Sequence, residues 1–266
     1  EGLTEVVVTD GELRASLAAV RSLGPSFGVH VAAARTPSLA GASRGARSES
    51  AVPDPLLDPA AFRAAVDALA AVRGAAAVLP ASDGACRALL APGPWACGAR
   101  LAAPSREAYE RLSHKGETAR LGREAGLDVP EGEEAADLGA ARRIAGRLGF
   151  PVIVKPVLSV DVSVDDSGAG LRKRGVARAE GEAALERLWR ERVAPGAALV
   201  QREVPGSGEG LFLLRWQGET RACFAHRRLR EKPPSGGVSV LCESIAADPA
   251  LQAQVERVLA ACVLSG

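Results

Sequence analysis

Apolar positions along this chain follow two alternating rhythms: short β-branched runs, and longer stretches with helical spacing. The run Glu5-Val-Val-Val-Thr-Asp10 predicts a short strand that ends in a turn. Leu13, Leu17, Val20 and Leu23 then recur every three or four residues, which places them on one face of a helix. Phe27-Gly-Val-His-Val-Ala32 predicts the next strand, and the polar, glycine- and serine-rich stretch from Thr36 to Glu49 reads as a long loop. Ala61 to Val72 predicts a helix, followed by a strand in Ala75-Ala-Ala-Val-Leu-Pro80. Strands alternating with helices indicate a small parallel α/β unit. No G-x-G-x-x-G follows the first strand, so the dinucleotide fingerprint is absent. Asp83-Gly84, after the third predicted strand, is either a plain turn or a backbone approach to a ligand.

The character changes between Pro92-Gly-Pro94 and Ala103-Pro-Ser105, where helices become more charged. We expect a domain boundary there, with residues 1–102 as one domain and 103–266 as another. Arg106 to Leu121 predicts a helix that continues or restarts through Ala125, before Gly126-Leu-Asp-Val-Pro130. Leu138 to Leu148 predicts a second helix, stopped by Gly149 with Pro151 just beyond. A strand at Val152–Val154, a glycine-containing loop, a helix at Glu180–Val193 and a strand through Val200 follow. Leu211-Phe-Leu-Leu214 returns as a strand after a Pro-Gly turn, and Ala222 to Arg230 alternates as another. The fold class expected is therefore α/β and α+β.

With 266 residues, 47% of them hydrophobic, the chain can build real cores. A net charge of +1 argues against a dedicated nucleic-acid or membrane-surface protein, and 3% aromatics leave no base-stacking platform. Five cysteines are scattered without a C-x-x-C or a cysteine–histidine cluster, which disfavours structural zinc. No signal peptide and no long uninterrupted apolar run is visible, so the expected location is cytoplasmic. The chain opens on Glu1 almost directly before a strand, holds no methionine, and closes just after an amphipathic helical stretch. Both ends read as cuts, and the expectation is a fragment.

Three segments can carry chemistry. Lys155 ends the apolar run Pro151-Val-Ile-Val-Lys-Pro156, where an ammonium either snorkels to water or meets an anion. Leu199-Val200 leads into Gln201 and Glu203, then Val204 and the glycine turn Pro205-Gly-Ser-Gly-Glu-Gly210. Polar groups at a strand exit before such a turn suit the edge of a purine pocket. The third segment, Ala222 to Lys232, places Phe224, His226 and Arg228 on one strand face and Arg227 on the other. Its cations suit carboxylate or phosphate, or form a solvated edge strand. Three well-separated histidines suggest no Ser-His-Asp set.

Lys115 and Lys155, forty residues apart, with Ala-Gly126-Leu-Asp-Val-Pro130 and the Gln201–Glu209 segment between and after them, resemble the ATP-grasp superfamily. The resemblance implies an N-terminal pre-ATP-grasp α/β domain followed by an incomplete ATP-grasp domain. It implies that Lys115 and Lys155 contact ATP, with Lys155 on the phosphates. The loop carrying Gly168, Gly170 and Lys173 would close over those phosphates, although it has fewer glycines than usual, and Asp165 and Asp166 bring anions close to them. Gln201, the backbone of Arg202 and Val204, and the neighbouring Glu203 would meet the adenine edge, and Glu209 the ribose. Gln201 stands where a glutamate is more usual. Arg228 and His226 would be catalytic, near the transferred phosphoryl group. Magnesium is implied, with its ligands expected downstream of Gly266, so the segment as given is expected not to turn over ATP. The function implied is a ligase that activates a carboxylate as an acyl phosphate for attack by an amine or similar nucleophile. Its partners are those two small substrates, with no nucleic acid and no membrane, and a homodimer is compatible with it. The alternatives are a bicarbonate-phosphorylating enzyme like carbamoyl-phosphate synthase or biotin carboxylase, and a non-catalytic nucleotide-binding module.

Overall fold

A computed structural model describes residues 2–93, 95–165, 168–232 and 237–263. Asp166, Ser167, residues 233–236 and the last three residues lie outside them. The chain divides into two compact units, residues 1–109 with 158–174, and residues 110–157 with 175–266. The expectation was a single cut at 102/103.

The first unit is built on the strands and helices β1 (Thr4–Val8), α1 (Arg14–Leu23), β2 (Phe27–Ala33), β3 (Ala46–Ala51), α2 (Pro59–Arg73), β4 (Ala77–Leu79), α3 (Asp83–Leu89) and β5 (Arg100–Leu101). Its sheet has the order β3-β2-β1-β4-β5 and every pairing is parallel. The two-residue period of β1 explains its near-continuous apolar run. Val6 and Val8 pack with Val20, Val29 and Val31 on the α1 side, while Val7 packs with Phe62, Val66 and Val78 on the α2 side. β3 lies inside the stretch expected to be loop. Its sequence, Ala46-Arg-Ser-Glu-Ser-Ala51, is too polar to announce a strand, and pairing with β2 at the sheet edge is what forms it. Asp83-Gly84 is the start of α3 rather than a turn, with the Ser82 hydroxyl capping the Ala85 N–H at 3.0 Å.

Two strands after the second lysine complete this unit. β8 (Val160–Asp165) and β9 (Gly168–Lys173) form an antiparallel hairpin where a glycine loop was expected. The Leu171 N–H donates to the Leu56 carbonyl at 2.6 Å. A Cβ on Gly170 would stand 2.9 Å from that carbonyl oxygen, so this close approach needs glycine.

α4 (Arg106–Ser113) spans the division between the units. The second unit contains α5 (Lys115–Glu124), β6 (Gly132–Ala135), α6 (Leu138–Leu148), β7 (Val152–Pro156), β10 (Ala177–Ala179), α7 (Glu182–Leu188), β11 (Ala198–Arg202), β12 (Glu209–Trp216), β13 (Glu219–Lys232), β14 (Val238–Ile245) and α8 (Pro249–Val263). The helix expected over Arg106–Leu121 breaks at His114, whose extended backbone and ring nitrogen cap the Glu117 N–H. α7 widens into a π turn over Trp189–Val193. One antiparallel sheet runs β10-β7-β11-β6, and another β12-β13-β14. α6, α7 and the π turn bury Ile144, Leu148, Leu185 and Trp189 against Val152, Val154, Ala198 and Val200 of the first sheet. α8 packs Val258 and Cys262 on Leu121 of α5 and on Ala125, which caps that helix, and its Arg257 donates to the Ala125 carbonyl at 2.7 Å, neutralising a helix end. Among the described residues no helix is long and apolar enough to cross a membrane.

Phe62 is 1% exposed and joins α2 to the sheet core. Phe62→Ala is expected to cost roughly 3–5 kcal/mol of stability, read as a lowered denaturant midpoint.

Candidate functional site

The alternation of β7 and β11 builds core and site from the same strands. Val152, Val154, Ala198 and Val200 face the helices, so Ile153, Lys155, Leu199 and Gln201 must face the opposite side. There a cleft of about 970 Å³ opens within the second unit. Ile153, Lys155 and Gln201 form part of its wall, the Arg202–Gly208 segment its rim, and Arg228, Leu229, Arg230, Glu231 and Val240 of the second sheet the facing wall.

Burial pushes the Lys155 ammonium below its ordinary pKa, because the charged form is desolvated. Gln201 is 3% exposed, and its amide oxygen has no hydrogen-bond partner among the described residues. A buried acceptor left unmade costs about 1–3 kcal/mol, so a donor from a ligand would be favoured there. Arg228 has the converse need: its Nε–H, a donor, is buried without an acceptor among the described residues, while Nη1 reaches Glu231 and the Gly237 carbonyl, each at 3.3 Å. The Arg228 N–H donates to the Gly208 carbonyl at 2.8 Å and ties the rim to β13.

The register between β13 and β14 shifts after Arg228 and again after Arg230. These irregularities break strict alternation, which is how consecutive residues 228–231 all line the cleft. Glu231 is the acidic residue that sequence reasoning missed there. Its carboxylate accepts from the Gly237 N–H at 3.0 Å and from Arg228. The only hint was its i,i+3 spacing from Arg228, and a bulge is invisible in sequence.

The other expected residues distribute as follows. Arg202 and Val204 line the rim, but the Arg202 N–H is committed to the Glu131 carbonyl at 2.8 Å, so a backbone contact there must use its carbonyl. Glu203 also lines the cleft, with its carboxylate held by Arg178 Nε at 2.8 Å. Glu209 is absent from the lining. It lies opposite Arg227 and accepts from its Nε at 2.9 Å, on the strand face that also carries Glu243. Arg227 thus sits away from Arg228, as alternation requires. His226 shares the Arg228 face but stacks on Phe212 and Phe224 instead of lining the cleft. Lys115 is not in the lining; it opens α5, its N–H donating to the Val157 carbonyl just past β7 at 2.9 Å. Gly168, Gly170 and Lys173 belong to the hairpin of the first unit, where Lys173 lines a smaller cavity with Asp10, Glu12 and Arg35. No group of three or more His, Cys, Asp or Glu among the described residues fits a metal ion, so none is assigned to magnesium.

Solved structures share this architecture. An N5-carboxyaminoimidazole ribonucleotide synthetase in complex with ADP superposes with a TM-score of 0.64 at 16% identity, covering 99% of this chain and 64% of its own. An L-amino acid ligase from Bacillus licheniformis gives 0.63 at 16%, covering 98% and 61%. The biotin carboxylase domain of the Hydrogenobacter thermophilus 2-oxoglutarate carboxylase gives 0.64 at 16%, covering 98% and 58%. These are ATP-grasp enzymes. The chain has the ATP-grasp fold. It spans about three-fifths of the length of these proteins. No protein-family model matches the sequence, and no curated protein does. In ATP-grasp terms the cleft lies between the two antiparallel sheets of the second unit, with Lys155 on one and Arg228 on the other.

An anion bound at Lys155 would raise its depressed pKa again, so binding takes up protons where the free ammonium titrates. Affinity for such an anion is therefore expected to fall as pH rises through that alkaline range, with calorimetric proton uptake that Lys155→Ala abolishes. The free chain should gain stability over the same interval, because the unfolded lysine holds its proton more tightly than the folded one.

Proposed function

We propose that this cleft binds ATP and that the chain is the nucleotide-binding part of a ligase that activates a carboxylate as an acyl phosphate. The observation that carries the reading is one cleft with a desolvated lysine, a facing arginine with a buried unpaired Nε, and a buried unpaired amide oxygen between strand and rim.

Each group has a task set by its chemistry. Lys155 offers a point charge to phosphate oxygens and regains by pairing what burial costs it. Gln201 Oε1 accepts from an exocyclic amine, and the backbone of Arg202 and Val204 offers a carbonyl and an N–H along the rim. Arg228, held by Glu231, can direct its guanidinium at charge that develops in transfer. A carboxylate oxygen attacks the γ-phosphorus and the bond to ADP breaks. An amine then attacks the acyl carbon and releases phosphate. Such transfer depends on positioning and charge neutralisation, for which no nucleophilic side chain is needed. Magnesium, when bound, would neutralise phosphate charge; no group of three or more His, Cys, Asp or Glu is gathered for it among the described residues.

A second reading, in which the acid is bicarbonate, is favoured by likeness to the biotin carboxylase domain, whose structure holds MgADP, ADP and bicarbonate. That structure is a dimer, which supports a homodimer here as well. A cytoplasmic location fits a nucleotide-using ligase.

Lys155→Ala is expected to weaken ATP binding by roughly 1.5–3 kcal/mol, about ten- to a hundredfold, in calorimetric titration. Arg227→Ala, which removes an exposed side chain paired with Glu209, should leave the affinity unchanged. Wild-type affinity in a folded Lys155→Ala protein would remove the phosphate role of Lys155, and no ATP binding by the unsubstituted chain would remove the nucleotide reading.

A further inference from the structure

Arg228 lines the cleft and also stands at the end of an exposed patch that lies outside the cleft's lining. Along β13 the same sheet face continues through His226 and Phe224, and Phe212 stands directly opposite Phe224 on β12. The three rings form one cluster, with centroids 6.1 Å apart for Phe212–Phe224, 5.2 Å for Phe212–His226 and 6.2 Å for Phe224–His226. Core aromatics would be sealed, yet Phe212 is 54% and Phe224 52% exposed. His226 Nε2 has no hydrogen-bond partner among the described residues, so stacking is what holds the ring. Opposite it lies Gly210, where a Cβ would stand 3.0 Å from the Phe212 ring and 3.2 Å from the imidazole. Glycine lets the two rings lean together over the strand.

We propose that this platform takes the aromatic body of the carboxylic acid substrate, with its carboxylate directed at Arg228. Arg228 lies two steps along the strand from His226, about 7 Å, which matches an aryl ring joined to a carboxylate through one to three carbons. Binding sites for small molecules are mostly apolar and aromatic with a few placed polar groups, and this face has that composition. An acid is favoured over a neutral arene because Arg228 keeps donor capacity: Glu231 and the Gly237 carbonyl engage Nη1 alone, and Nε has no partner among the described residues. Continuity with the nucleotide cleft distinguishes the patch from a surface for another protein, because its charged end is already part of that cleft. Leu214, two residues beyond Phe212 and 60% exposed, extends the apolar end. The inference rests on the nucleotide reading of the cleft, and it excludes bicarbonate as the acid.

The test is a fluorine NMR titration of the protein with 4-fluorophenylacetate, beside a separate ATP titration of the same sample. The expected result is saturable binding, displaced by phenylacetate and 3-phenylpropionate but not by succinate. Arg228→Ala and the pair Phe212→Ala with Phe224→Ala should each weaken it by about tenfold. Gly210→Ala, which keeps every ring but forces two apart, should weaken it as well. If the alanine pair loses the native circular dichroism, Phe224→Leu replaces it and should weaken binding in the same direction. Displacement by succinate as readily as by phenylacetate would overturn the proposal, as would unchanged binding in the folded ring variants. So would a dimer in sedimentation that Phe212→Ser with Phe224→Ser dissociates, since a second copy would then cover the rings. Failure of the acid with ATP still bound sinks this inference alone, whereas failure of ATP to bind sinks the reading beneath it.

Discussion

Lys155 holds an ammonium on one face of a four-stranded sheet whose other face is sealed by α6, α7 and the π turn. Its lowered pKa records the cost of taking that charge partly out of water. A cation in that position is tolerated when the protein leaves room for an anion rather than supplying its own carboxylate. The two carboxylates that line the cleft are both committed elsewhere, Glu203 to Arg178 and Glu231 to Arg228 and the Gly237 N–H. Neither of these carboxylates is therefore supplied to the Lys155 ammonium.

The strand alternation that supports this charge also divides roles with economy. One residue of each pair along β7 and β11 belongs to the core and the next to the cleft, so a one-residue slip would bury Lys155 among Ile144, Leu148 and Trp189. The apolar pattern thus enforces register, and register enforces the site. On the second sheet the logic differs. There the bulges after Arg228 and Arg230 set aside alternation and turn consecutive residues toward one cavity, at the point where β13 leaves its regular pairing.

The first unit follows the usual construction of a parallel sheet. β1 is covered on both faces and reads as valines throughout, while β3 at the edge is polar and half-exposed. The hairpin β8–β9 keeps close company with the loop at Leu56, where Gly170 permits the approach. That packing explains a glycine which the phosphate reading had claimed.

Much of this was legible in the sequence. Helix α6 falls where its apolar period and Gly149 put it, and β1, β2, β7 and β11 announce themselves through β-branched runs, because burial on one or both faces leaves a periodic trace. Lys155 and Gln201 were recognisable for the same reason, as polar residues where the pattern demands apolar ones. What the sequence could not carry were the features that depend on distant partners. β3 exists through its pairing with β2, and His114 breaks a helix by capping the next one. Glu209 faces Arg227 rather than the cleft because cross-strand register, not proximity in the chain, chooses its partner. Glu231 enters the site through a bulge. Local sequence determines which residues can be buried and with what period; only the folded chain decides which side chains meet across strands, because those contacts join residues whose separation along the chain leaves no mark in either local pattern.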